Sequence, residues 1–238
     1  MKNLPRIACF HGGGSNAAIY EVQCAPLIAA LENEYELVFF NGPYIRSAGP
    51  GVLPAFAEYP PFRSWFTQGE GGAELDDGSG YDSMSRDGVA RVWQLMEAQG
   101  PGGEWVGAMG FSQGSRMAGG LLLDQQRRDR VGDIGVTDVN LRFGVCCMGA
   151  GTPMQSEIGH SLDEQTRVAE RVGIRTLHVH GLKDIFLPLG RHQYETCYEK
   201  GTTTLFSVNY HHAMPWHKQD VQQLADHIRK IDKETRLG

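Results

Sequence analysis

The sequence has no apolar run near the roughly 18 residues that a membrane span requires. Nor does a basic segment followed by a long apolar stretch and a small-residue cleavage site lie near its start. These absences predict no membrane partner, no secretion signal and a cytoplasmic location. Positive charge is not in excess: 22 Lys and Arg stand against 28 Asp and Glu, a net charge of -6. That excludes a general attraction to nucleic acid or anionic lipid. The one basic cluster, QQRRDR at 125–130, reads as a solvated helix end. Cysteine is scarce and odd in number, and Cys9, Cys24, Cys146, Cys147 and Cys197 show no CxxC spacing. Their apolar neighbours suit buried thiols in a reducing compartment. There is no internal repeat or low-complexity tract. With 41% hydrophobic residues, the 238-residue chain can bury one core, so a single domain over 1–238 is expected.

What the chain does have is alternation. Short apolar runs alternate with amphipathic stretches, the pattern of parallel strands joined by crossover helices, so the fold class is α/β. RIACF at 6–10 is the first expected strand, followed by a helix from about Ala17 to Leu31 capped by Ser15 or Asn16, and ELVFFNG at 36–42 is the second strand. Between 43 and 80, prolines at 43, 50, 54, 60 and 61 and many glycines break every period, which predicts an irregular, lid-like excursion. A helix is expected from about Asp82 to Ala98, then the strand EWVGAMGF and a helix over QGSRMAGGLLLDQQRR. LRFGVCCM, RTLHVHG and TTLFSV read as later strands, and a helix from about Lys218 to Ile231 closes the sheet.

Within this frame the stretch VGAMGFSQGSRM carries chemistry. In a chain with 31 glycines the spacing GxSxG is weak by itself. Here, however, Ser112 falls at the end of a strand and just before a helix, where ligand sites of α/β folds form. A nucleophile elbow lifts the serine hydroxyl clear on a strained turn, and the residues two positions either side must be small, as Gly110 and Gly114 are. The same turn aims the Gln113 backbone N–H, backed by the helix dipole, at a developing oxyanion. Ser115, one turn into the helix, is an ordinary helix serine.

A serine hydroxyl attacks slowly until a base takes its proton, and this fold orders the residues Ser, Asp, His. Downstream, LHVHGLKD ends a strand with Asp184, and NYHHAMP follows the next strand with His211 and His212. Asp184 reads as the orienting acid, or as a loop carboxylate capping the helix near Leu187, whose first turn holds Pro188. Residue chemistry alone does not choose between the two histidines. After the first strand, the HGGG segment at 11–14 lets backbone approach a ligand and completes an oxyanion hole, or forms a plain glycine loop.

Taken together, HGGGSNAAIY, GFSQG, LHVHGLKD and HHAMP resemble, in content and spacing, the fungal serine hydrolase family of small α/β-hydrolases. That family includes the lovastatin-pathway thioesterase and relatives from other polyketide clusters. The likeness spans nearly the whole chain. It implies an α/β-hydrolase fold and a triad of Ser112, Asp184 and His212, the histidine lying three residues before Pro215. The glycine pair usual before that histidine is Tyr210 and His211 here, which leaves His211 as the alternative base. The resemblance further implies Gly13 as the second oxyanion donor beside Gln113, with His11 bracing the loop. It implies a small-molecule acyl substrate, an acyl thioester carried on the acyl carrier domain of a polyketide synthase, released as the acid. A small-molecule carboxylic ester is the alternative, and a non-catalytic binding protein on the same fold is the third reading.

Two further features invite functions. His178 and His180 form an i, i+2 pair, and His211, His212 and His217 cluster, but no cysteine or carboxylate set joins them at zinc-ligand spacing. No metal and no cofactor is expected. The excursion brings Tyr44, Phe56, Tyr59, Phe62, Trp65 and Phe66 together. Tyr44, Phe62, Trp65 and Phe66 are the expected substrate contacts of an apolar acyl pocket, and pinning of a long loop is the equal alternative. Arg46 and Arg63 are available to a carboxylate, a phosphopantetheine phosphate or an acidic carrier protein, or are simply exposed.

Overall fold

The computed structural model describes residues 3–66, 88–132, 139–162 and 164–236. Along the chain lie β1 (Arg6–Phe10), α1 (Ala17–Ala30), β2 (Glu36–Phe40), β3 (Tyr44–Ile45), β4 (Arg63–Ser64) and α2 (Gly88–Glu97). They are followed by β5 (Trp105–Phe111), α3 (Gly114–Val131), β6 (Phe143–Cys147), α4 (Glu157–Ser161), α5 (Glu164–Ala169), β7 (Thr176–Gly181), α6 (Leu187–Cys197), β8 (Thr203–Val208) and α7 (Lys218–Arg236).

Six strands form one sheet in the order β2-β1-β5-β6-β7-β8, every pairing parallel. A parallel sheet covered on both faces needs apolar residues at every strand position, which is why β1, β5, β6 and β7 are buried throughout. The period of two divides them between two cores. Ile7 and Cys9 join Tyr20, Leu27, Leu224 and Ile228 under α1 and α7. Ala8 and Phe10 join Trp93, Met117 and Leu121 under α2 and α3. From β1 the chain first steps outward to β2, then returns to place β5 on the other side of β1. The carboxyl ends of β1 and β5 therefore flank the point where strand order reverses, the place where such sheets open a crevice.

Most expected elements appear within a few residues of their bounds. Asn16 is the cap of α1, its Oδ1 accepting the Ile19 N–H at 2.9 Å. Within the excursion, β3 and β4 pair antiparallel and Arg63 bridges to Ser15. The rest of that expectation, from 67 onward, and the first turn expected for α2 lie outside the described residues. The short α4 and α5 carry too few residues for a readable period. QQRRDR is only in part the solvated end expected for it, since Asp129 and Arg130 are exposed. Arg127 and Arg128 are buried, because Glu170 and Asp124 receive them at 2.6 and 2.9 Å. All five cysteines are free, four of them buried. Among the described residues no helix is long and apolar enough to cross a membrane.

Candidate active site

Ser112 follows β5 directly with φ at 52°, a left-handed conformation rare for a residue with a side chain. The turn is held at both ends. Its N–H donates to the Cys147 carbonyl at 2.8 Å, and its carbonyl accepts the Ser115 N–H at 3.0 Å and the Ser115 hydroxyl at 2.7 Å. Ser115 thus braces the elbow from the first turn of α3. The flanking glycines are required sterically: a Cβ on Gly110 would strike the Gly114 carbonyl, and one on Gly114 would strike the Phe10 and His11 carbonyls.

Behind the elbow, the Gln113 side chain is buried and ties the loop after β4 to α3. Its Oε1 accepts the Trp65 N–H at 2.8 Å, and its Nε2 donates to Ser64 Oγ at 3.0 Å. Gly12 and Gly13 lie against this assembly. A Cβ on Gly12 would sit 3.4 Å from the Ser112 Cβ, and one on Gly13 would sit 3.1 Å from Gln113 Nε2. His11 braces the same loop. Gly42 N–H donates to its Nε2 at 2.9 Å, so Nδ1 carries the proton that meets the Gly12 carbonyl at 2.8 Å. Burial pushes this imidazole down to about 4, which keeps it neutral.

Across the crevice, His212 Nδ1 lies 2.7 Å from Asp184 Oδ2. The other carboxylate oxygen, Oδ1, accepts the Phe186 N–H at 2.8 Å. The imidazole packs against the Phe111 and Phe186 rings, with centroids 4.9 and 4.8 Å away. With Nδ1–H donating to a carboxylate, Nε2 keeps the lone pair that a general base needs. His211 is exposed and its Nδ1 meets the Lys183 carbonyl at 3.2 Å, so only His212 is paired with Asp184. Tyr210 and His211 both have negative φ, so their backbone makes no demand for the glycines they replace. Tyr210 is instead built in, its hydroxyl donating to Asp220 at 2.8 Å and accepting the His217 N–H at 2.9 Å.

Ser112, Gln113, Gly13 and His212 line one cavity of about 500 Å³. Tyr44, Phe62, Trp65 and Phe66 are not among the described residues that line it. Trp65 and Phe66 lie in the core over α3. Trp65 donates through Nε1 to the His11 carbonyl at 2.8 Å and meets Phe10 edge-on at 5.4 Å. The apolar wall comes instead from Val52, Phe111, Phe186 and Leu189. Sequence reasoning missed Val52 and Leu189; their only signal is proximity to Pro50 and Asp184. His178 is buried against Tyr194 and Tyr198, and Thr176 Oγ1 is 3.1 Å from its Nε2. Among the described residues no group of three or more His, Cys, Asp or Glu is placed to hold a metal ion.

A parallel sheet with a strained serine at its reversal point, lining one cavity with a carboxylate-paired histidine, defines an α/β-hydrolase, a fold shared with solved esterases and thioesterases. The family described as serine hydrolase (FSH1) matches residues 1–224, and the chain belongs to that family. It is therefore a serine hydrolase. It is 32% identical to esterase citA of Monascus ruber, covering 98% of this chain and 94% of that one. It is 31% identical to esterase claE of Penicillium crustosum, with the same shares, 98% and 94%. Maize (Zea mays) acyl-protein thioesterase 2 superposes with a TM-score of 0.61 at 17% identity, covering 98% of this chain and 95% of that one.

Proposed function

We propose that Ser112 is the nucleophile of an acyl-enzyme cycle, His212 its general base and acid, and Asp184 the group that orients the imidazole. The observation that carries this is the 2.7 Å pairing of His212 with Asp184 beside a cavity that both His212 and Ser112, the latter at positive φ, line. In the cycle, Ser112 Oγ attacks the acyl carbonyl while His212 Nε2 takes its proton. The bond to sulfur or oxygen then breaks, and His212 returns that proton to the leaving group. Water, deprotonated by His212, attacks the acyl-enzyme; the bond from the acyl carbon to Ser112 Oγ breaks, His212 returns the proton to that oxygen, and the carboxylic acid leaves. The Gly13 and Gln113 amides stabilise each oxyanion, aided by the N-terminus of the 18-residue α3.

The substrate in this reading is an acyl thioester on the carrier domain of a polyketide synthase, supported by the resemblance of HGGGSNAAIY, GFSQG, LHVHGLKD and HHAMP to a family that includes the lovastatin-pathway thioesterase. A carboxylic ester of a small molecule is the second reading, favoured by the esterase names of citA and claE. A chain-length series of matched pantetheine thioesters and oxygen esters tests them. If acyl chains lie along Val52 and Leu189, kcat/KM should rise with each methylene, worth about 0.8 kcal/mol when buried, until the cavity fills. Leu189→Ala should flatten the rise. Thioesters should lead throughout; a preference for short acetyl esters would replace carrier release with plain carboxylesterase activity.

A further inference from the structure

Two buried polar side chains behind the cavity take no step in the acyl-enzyme cycle, and they touch each other: Ser115 in the first turn of α3 and Gln193 in α6. By sequence Ser115 reads as an ordinary helix serine. It is fully buried, and its hydroxyl donates to the Ser112 carbonyl at 2.7 Å while accepting a hydrogen bond from Gln193 Nε2 at 3.2 Å. Gln193 is 1% exposed and, with Gly190, one of the two buried residues of α6. Nε2 also donates to the Gly151 carbonyl at 2.6 Å. A carbonyl can only accept, so this bond fixes which end of the amide faces the elbow. A glutamine turned inward from a mostly exposed helix is tolerated because both of its N–H groups find acceptors. The backbone closes tightly on the pair: a Cβ on Gly149 would strike Gln193 Oε1 and stand 2.8 Å from Ser115 Oγ.

We propose that Gln193 and Ser115 are positioning residues for the nucleophile: a relay of two hydrogen bonds, running from α6 to the Ser112 carbonyl, holds Ser112 in its left-handed turn and presents its hydroxyl for attack. The inference rests on Ser112 being the nucleophile and adds two residues that act through it. A strained turn persists only where its surroundings over-determine it. The Ser112 carbonyl is held twice, by the Ser115 hydroxyl and by the Ser115 N–H at 3.0 Å. The relay also has a direction. Because Gln193 donates to the Ser115 oxygen, the hydroxyl hydrogen is turned to the Ser112 carbonyl. One segment thereby serves both halves of the triad: the Phe186 N–H, just before α6, holds Asp184 Oδ1, and Gln193 within α6 holds Ser115. The bond to Gly151 ties in the cavity wall, which Gly151 and Leu189 both line.

The test measures kcat and KM on an activated aryl ester, and the rate at which a fluorophosphonate labels Ser112, in wild type, Ser115→Ala, Gln193→Met and the double variant. Ser115→Ala should lower kcat and the labelling rate together by about tenfold or more with KM within about twofold, because a misplaced reacting atom costs rate rather than binding. Gln193→Met keeps the length of the side chain without its donors and should lose less, since the Ser115 hydroxyl remains. Links of one relay should not add, so the double variant should match Ser115→Ala within about twofold. The pH dependence of kcat/KM should keep its shape, because the pairing of His212 with Asp184 is untouched. Thr196→Val, which removes an exposed hydroxyl from the same helix, should change nothing. If Ser115→Ala fails to fold, Gln193→Met read against Thr196→Val carries the same test. Wild-type kcat and labelling in Ser115→Ala, a loss confined to KM, or losses that multiply in the double variant overturn the relay and leave Ser112 as the nucleophile. A wild type that neither labels nor cleaves overturns both.

Discussion

Both oxygens of Asp184 are engaged, one by the His212 imidazole and one by the Phe186 amide, so the carboxylate cannot rotate without losing a hydrogen bond. Two aromatic rings pack against the imidazole. Removing this group should therefore remove the base rather than loosen a loop. His212→Ala should lower kcat by about three orders of magnitude, and His211→Ala, which breaks only a contact to the Lys183 carbonyl, by at most about tenfold. Steady-state kinetics on a single activated ester decides this, and the reverse order would reassign the base. The motif HHAMP narrows the base to two adjacent residues. The choice between them depends on which one the turn after β8 carries toward Asp184, a contact spanning 28 residues of sequence separation.

At the scale of elements, the elbow works because β5 and α3 meet with no room for side chains. Gly110→Ala places a methyl on the Gly114 carbonyl, and backbone cannot withdraw as a side-chain tip can. It should cost about 2 kcal/mol or more by urea denaturation, whereas Gly201→Ala, with open space around it, should stay within about 0.5 kcal/mol. Equal costs would mean that the contact between strand and helix is looser than it looks. The strands and the elbow were legible because each is a local pattern: apolar runs of the right length, and small residues at fixed offsets from Ser112. The walls of the cavity were not. Aromatic content in the excursion fits an acyl pocket and the pinning of a long loop equally well, and Trp65 and Phe66 turn inward because the Trp65 N–H groups find buried acceptors in Gln113 and His11. QQRRDR misled for a related reason, since Glu170, which buries Arg127, arrives from a segment 43 residues away.

For the molecule as a whole, buried neutral histidines make stability depend on pH. Burial pushes His11 down to about 4 and His178 to about 3, from an ordinary 6.5. Below 6.5 the unfolded chain takes up protons that the native state refuses, so stability is kept above that pH and falls as pH drops from 6.5 toward 4 and 3. Urea midpoints across that window should fall less steeply for His178→Gln than for wild type, and an identical slope would contradict the assignment. On the proposed mechanism, folding this chain activates one serine. Only an activated hydroxyl attacks a fluorophosphonate quickly, so intact-protein mass spectrometry after brief exposure tests the claim directly. The native protein should gain one adduct, on Ser112, and the protein in urea should gain none. Native Ser112→Ala should also stay unlabelled; an adduct on that variant, or an unlabelled native wild type, would show that Ser112 is not the nucleophile.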